Sequence, residues 1–211
     1  MSNNIARNVA ATLLQIKAIK LNSANHFTWA SGWYSPIYCD NRKILSYPEA
    51  RKEVYESFAE IIQNLYPEAE VIAGVATGAI AHGVLAAEAM QKPFIYVRSA
   101  PKEHGMTNQV EGEVKAGAKV VVVEDLVSTG GSSLKAVEAL EAAGCEVLGM
   151  VAIFTYGFPK AEENFAAANV KLDTLSNYNT LIEIAQEQNY INESEIETLK
   201  EWRKSPQTWK K

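Results

Sequence analysis

The sequence predicts an α/β fold built on a central, mostly parallel sheet flanked by helices, and three observations carry that prediction. Short apolar runs recur at residues 71–75 (VIAGV), 94–97 (FIYV), 119–123 (KVVVV) and 146–154 (EVLGMVAIF). Helix-periodic segments at 79–91 and 130–143 separate the first run from the second and the third from the fourth. Strands alternating with helices imply parallel pairing through right-handed crossovers, which gathers the loops that follow the strands along one edge. The third observation is the run VVVVEDLVSTGGS at 120–132. Its valines suit a strand buried on both faces. Two adjacent carboxylates, Glu124 and Asp125, then emerge at the C-terminal end, where open α/β sheets bind ligands.

The remaining elements follow in order. Ile5, Val9, Leu13 and Ile16 recur at helical spacing and predict an amphipathic first helix. Residues 25–40 are aromatic and interrupted by Gly32 and Pro36, so they read as short extended pieces. Pro48 marks the start of a helix whose buried stripe is Val54, Phe58, Ile61, Ile62 and Leu65. After the fourth run come a short strand at 170–175 and two helical patterns. The second of these opens with Ser194-Glu195-Ile196-Glu197, a capping-box spacing. Neither repeat nor linker-like stretch divides the chain, and a single domain over 1–211 is expected.

Composition narrows the function. Apolar residues make up 47% of the 211, enough for a substantial core. The net charge of −5 disfavours generic binding to nucleic acid. Cys39 and Cys145 lie far apart with no CxxC, so they read as reduced thiols rather than a disulfide framework or a zinc site. The N-terminus is broken by Arg7, Gln15 and Lys17, and no later stretch is long and apolar enough to span a bilayer. A cytoplasmic, soluble protein without a membrane partner is expected.

The chemistry gathers around the acidic pair. Ser128, Thr129, Gly130, Gly131 and Ser132 form a small polar turn into the next helix. Such a helix start offers unpaired N–H groups and a partial positive charge, which suit a phosphate. Carboxylates repel a phosphate, so Glu124 and Asp125 suit vicinal hydroxyls or a divalent cation instead. Together these parts describe a seat for a phosphorylated sugar. A second cluster, Arg98, Lys102 and His104, opens the stretch 99–117, which is poor in large apolar residues; a loop this long in a compact domain is usually functional or disordered. GVATGAIAHG at 74–83 is neither GxGxxG nor a Walker P-loop, although its Ala76, Thr77 and Gly78 peptides are placed to receive diphosphate oxygens. His82 reads as packed on its helix.

The acidic pair with its Ser/Thr/Gly turn resembles the phosphoribosyl-diphosphate signature of the type I phosphoribosyltransferase family. FTWASGWYSPIYCDNR at 27–42 and YVRSAPKEHG at 96–105 resemble the substrate-hood and mobile-loop segments of its orotate-using branch. The resemblance implies a small hood contributed by 1–45 and 157–211. It implies Mg²⁺-dependent transfer of a phosphoribosyl group from phosphoribosyl diphosphate to orotate. Glu124, Asp125, Leu126, Val127, Ser128, Thr129, Gly130, Gly131 and Ser132, with Arg98, Lys102 and His104, would bind phosphoribosyl diphosphate, and Glu124, Asp125 and Lys102 would be catalytic. Ser128, Tyr38, Cys39 and Arg42 would face orotate. The mobile loop would complete the neighbouring subunit's site, making a homodimer obligatory.

The chain departs from the family where Ala30 and Ser99 stand in place of lysines, Thr77 and Gly78 in place of a tyrosine–lysine pair, and Tyr156 in place of an arginine that touches orotate. Arg42 and Lys43 are the cationic candidates left for the orotate carboxylate. Two other readings stay open: a purine or uracil phosphoribosyltransferase sharing the sugar-phosphate seat, and a non-catalytic regulator binding a nucleotide or RNA on the same fold.

Overall fold

The computed structural model describes residues 2–23, 25–29, 31–100 and 109–210. Its sheet contains β5 (Val71–Val75), β6 (Phe94–Val97), β7 (Val110–Glu111), β8 (Lys119–Val127), β9 (Glu146–Thr155) and β10 (Leu172–Asn177), in the order β10-β9-β8-β5-β6-β7. All neighbours are parallel except β6 and β7. Crossovers run through α3 (Ile80–Ala89), α4 (Gly131–Ala142) and α5 (Pro159–Ala167), so the loops after β5, β6, β8 and β9 share one edge. The four apolar runs become strands, with β8 and β9 extended beyond the valines and phenylalanine that announced them. Val120, Val121, Val122 and Val123 are fully buried, as expected of a central strand covered on both faces.

Two short features departed from the pattern. The stretch after β6 is not loop throughout: Val110 and Glu111 fold back as β7, and the Arg98 amide donates to the Gln109 carbonyl at 2.9 Å. No alternation announced so short an antiparallel edge. The last strand begins at Leu172 rather than 170, because Val170 donates its amide to the Phe165 carbonyl as α5 ends.

Outside the sheet, α1 (Ser2–Gln15) lays Val9 and Leu13 against the core, with Ile5 and Ile16 half-buried at its margins. The pieces β1 (Ile19–Leu21), β2 (Phe27–Thr28), β3 (Tyr34–Ser35) and β4 (Ile37–Cys39) pair antiparallel as β1 with β4 and β2 with β3. A 3₁₀ turn, Asn41–Ser46, leads into α2 (Pro48–Leu65), which starts on its proline. Leu65, assigned to the buried stripe, is exposed on the final turn.

The chain closes with α6 (Tyr178–Glu187) and α7 (Glu193–Lys204). A capping box is present on α7, but two residues earlier than its spacing predicted. Asn192 is the N-cap and Glu195 its partner, while Ser194 donates its hydroxyl to Asn192 Oδ1 at 2.7 Å. Asparagine outcompetes serine there because its side-chain oxygen reaches the Glu195 amide, at 3.1 Å. On the inner face of α7, Trp202 is fully buried, with ring contacts to Trp29, Tyr156, Phe158 and Tyr178. Its indole N–H donates to the Tyr34 carbonyl at 3.2 Å, tying the end of the chain to its beginning.

Trp202→Ala is expected to cost about 3–5 kcal/mol of stability, from a lost aromatic and the cavity it leaves. Asn192→Ala should cost about 1 kcal/mol, because only a cap is removed. Urea unfolding of both variants measures the difference; equal midpoints would contradict the central place given to Trp202.

Candidate active site

The strand β8 carries its order four residues past the run of valines, so the acidic pair sits within the strand rather than after it. Glu124 lies opposite Ala152 and Val127 opposite Thr155 on β9. Alternation sends the two carboxylates to different environments. Glu124 is only 5% exposed, whereas Asp125 is half-buried. The Glu124 carboxyl accepts hydrogen bonds from the Asp125 amide at 2.9 Å and the Ser133 hydroxyl at 2.8 Å. Burial, and secondly the neighbouring charge of Asp125, push its pKa up to about 8. Leu126 is half-buried, and Val127 is fully buried with its carbonyl accepting from Thr155 Oγ1.

Asp125 is held from several sides. A Cβ on Gly78 would overlap its carboxylate, so the loop after β5 approaches it through glycine alone. That close approach gives a physical reason why a lysine does not stand at 78. The loop also contains a cis peptide between Ala76 and Thr77, and the Ala76 amide donates to the Val97 carbonyl at 2.8 Å. The Asp125 carbonyl accepts from Asn41 Nδ2 at 2.5 Å. His82 is fully buried beneath the loop, in the field of Asp125. Burial lowers its pKa more than Asp125 and the Asn41 backbone raise it. It is packed, as read from the sequence, and stays neutral.

The turn after β8 is built as a cradle. Gly130 is the N-cap of α4 at φ +83°, and no side chain caps the helix. Asn164 donates to the Thr129 carbonyl at 2.8 Å and pins the turn from α5. Gly131 faces open space, where nothing lies within 4 Å of a Cβ built on it. An uncapped helix start beside that space, with Ser128, Thr129 and Ser132 hydroxyls around it, can receive a phosphate.

Arg98 leaves the end of β6, with Nη1 buried, without a hydrogen bond and 3.7 Å from Glu111 Oε1. Ser99 follows it. Lys102, His104 and Ala30 lie outside the described residues. On the base side, Tyr38 is partly exposed and the Cys39 thiol donates to Asn41 Oδ1 at 3.3 Å. Burial, then the charges of Asp125 and Asp40, push the Cys39 thiol pKa well up. Arg42 Nε pairs with Asp40 at 2.7 Å on an exposed side chain. The Lys43 ammonium donates to the Ile16 and Lys17 carbonyls, both at 3.0 Å, and is committed to the end of α1. Tyr156 is buried in the aromatic cluster; the nearby guanidinium is that of Arg203, bonded to the Tyr156 and Gly157 carbonyls at 3.3 and 2.9 Å.

Asn41, Ser133 and Asn164 were missed by sequence reasoning, and Gly78 was read as a peptide for diphosphate rather than as a neighbour of Asp125. Only Asn41 carried a signal, as a polar residue between the acid Asp40 and the base Arg42. Among the described residues, no group of three or more His, Cys, Asp or Glu side chains gathers to hold a metal.

The Glu124 environment has a consequence for stability. In the folded protein its carboxyl keeps a proton up to about pH 8, while the ordinary value is 4.5. The native state therefore binds more protons across that window, and the stabilisation is lost as pH rises through it. Glu124→Gln should flatten the fall in urea midpoint between these limits; parallel slopes for the two proteins would refute the assignment.

Comparison with known proteins agrees with this geometry. A phosphoribosyl transferase domain model matches residues 40–184. The orotate phosphoribosyltransferase of Porphyromonas gingivalis is 58% identical over 201 residues, covering 95% of this chain and 96% of its own. That of Cytophaga hutchinsonii is 54% identical, covering 99% and 100% respectively. A crystal structure of orotate phosphoribosyltransferase from Aeropyrum pernix superposes with a TM-score of 0.75 at 28% identity, covering 87% of this chain and 99% of that one. The chain belongs to the type I phosphoribosyltransferase family and, within it, to the orotate phosphoribosyltransferases.

Proposed function

We propose that this chain transfers the 5-phosphoribosyl group from phosphoribosyl diphosphate to orotate, giving orotidine 5′-monophosphate and diphosphate in pyrimidine synthesis. The bond between ribose C1 and the diphosphate oxygen breaks, and one between C1 and orotate N1 forms. The observation that carries the reading is the ordered sequence of strand, carboxylate pair and uncapped glycine turn, in a chain more than half identical to relatives of that name.

The residues divide the work. Ser128 to Ser132 hold the 5′-phosphate through main-chain N–H groups and hydroxyls. Asp125 faces the ribose hydroxyls, and Glu124 supports it from behind through the Asp125 amide. Leu126 and Val127 contribute main chain that sets the turn. Arg98, with a donor left over, meets the diphosphate together with Lys102 and His104; charge accumulating on the leaving group is stabilised there. Tyr38 and Cys39 line the base, and Arg42 is the cation for the orotate carboxylate once released from Asp40. Orotate N1 is acidic, so no protein base is required.

Magnesium fits this site as a companion of the substrate. The half-exposed Asp125 carboxylate is one hard oxygen ligand, and the described residues offer no cage of three. The ion would therefore be held by Asp125 with diphosphate and ribose oxygens. Bound there, it supplies neutralisation of the diphosphate charge.

The proposal includes a two-fold homodimer in which the loop of one subunit completes the site of the other, and a place in the cytoplasm. The two cysteines are unpaired, and no helix among the described residues is long and apolar enough to cross a membrane.

A base panel with phosphoribosyl diphosphate and magnesium should consume orotate and leave uracil, hypoxanthine and adenine untouched; turnover of another base alone reassigns the substrate. Chelation by EDTA should abolish turnover and added Mg²⁺ restore it. Lys102→Ala should lower kcat by roughly 10²–10³-fold. Mixing inactive Lys102→Ala and Asp125→Asn proteins should recover roughly a quarter of wild-type activity, because half the dimers then carry one complete site. No recovery after subunit exchange would place the loop in its own subunit's site.

A further inference from the structure

Asp125, the carboxylate that meets the ribose, is held by side chains as well as by its place on β8. The last β5–β8 pair is Gly74 with Val123, so Asp125 lies beyond the strand on that side. On the β9 side the pairs are Glu124 with Ala152 and Leu126 with Phe154. Its N–H donates to the Glu124 carboxyl and its carbonyl accepts from Asn41. Two side chains thus fix the main chain of this residue on both its amide and its carbonyl.

One of those side chains comes from the base side. Asn41 is 1% exposed and follows Tyr38 and Cys39 by a few residues. Its amide nitrogen reaches Asp125 across 84 residues of sequence, at 2.5 Å, and its amide oxygen accepts from the Cys39 thiol at 3.3 Å. One planar group therefore joins the segment beside the base to the residue beside the ribose.

We propose that Asn41 is a positioning residue that sets the spacing between orotate and ribose by tying the 38–42 segment to the main chain of Asp125. The inference rests on the functional reading given above. Bringing N1 to C1 requires the two half-sites to be held to a fraction of an ångström, and a misplacement of about 1 Å costs roughly 10²-fold in rate. Asn41 itself touches neither reactant, so its loss affects the reaction step more than the binding of either substrate alone.

The test uses Asn41→Leu, which fills the same volume without polar atoms, and Asn41→Asp. Asn41→Leu should lower kcat roughly 10–100-fold while the Kd for phosphoribosyl diphosphate, measured by direct titration, changes less than about threefold. In Asn41→Asp, an ionised carboxylate faces the Asp125 carbonyl and repels it, whereas the protonated acid donates to it. Its activity relative to wild type should climb as pH falls from about 8 to about 5.5, and that of Asn41→Leu should not. The titratable and charged groups around the position are Cys39, Asp40 and Arg42 on its own segment, Glu124 and Asp125 on β8, and His82 on α3. They are common to all three proteins and cancel in the ratio.

Variants with kcat within twofold of wild type overturn the proposal. So does a loss shared equally by kcat, both binding constants and the melting temperature with no recovery at low pH, which marks a purely structural role. A wild-type protein inert toward orotate overturns the functional reading and this inference with it; an active wild type with indifferent variants overturns this inference alone.

Discussion

The interaction on which the site depends is the burial of one carboxyl directly behind another. A strand covered on both faces cannot present two adjacent side chains to the same surface, so β8 must send Glu124 inward when it sends Asp125 toward the ligand edge. An ionised carboxylate buried beside a second negative charge would be costly. Burial and the charge of Asp125 keep Glu124 protonated up to about pH 8, outweighing the Ser133 hydroxyl and Asp125 amide, whose bonds favour the ionised form. The acidic pair then behaves as one charge with a support, not as two equal charges.

Close packing around that charge explains several local choices. Glycine at 78 lets the loop after β5 lie against the Asp125 carboxylate. Gly130 turns the chain with a positive φ and leaves the start of α4 uncapped, so the donors a cap would consume remain available. Arg98 retains a donor in the same way, its Nη1 standing 3.7 Å from Glu111 Oε1. The loops after β5 and β8 therefore meet at Asp125, and the end of β6 joins them through the Ala76 amide on the Val97 carbonyl.

Much of this was legible in the sequence because it followed from periodicity. The valines of β8, the helix starting at Pro48 and the acidic pair beside a glycine turn each have one physical reading. What was not legible came from long-range contacts. Asn41 gives no hint of Asp125, which lies 84 residues away, and Ser133 looks like any small helical residue until its hydroxyl is seen on Glu124. Pattern also placed the cap of α7 at Ser194, where a choice between two competent residues turned on side-chain reach. Lys43 was read as a candidate for the orotate carboxylate and is instead spent on the carbonyls that end α1.

The small antiparallel edge formed by β6 and β7 fixes both ends of the segment that carries Lys102 and His104. The Arg98 amide donates to the Gln109 carbonyl, and the Gln109 side chain returns a bond to the Arg98 carbonyl. The Arg98 guanidinium therefore stands where the sheet itself fixes the chain, so its charge keeps one address on that edge.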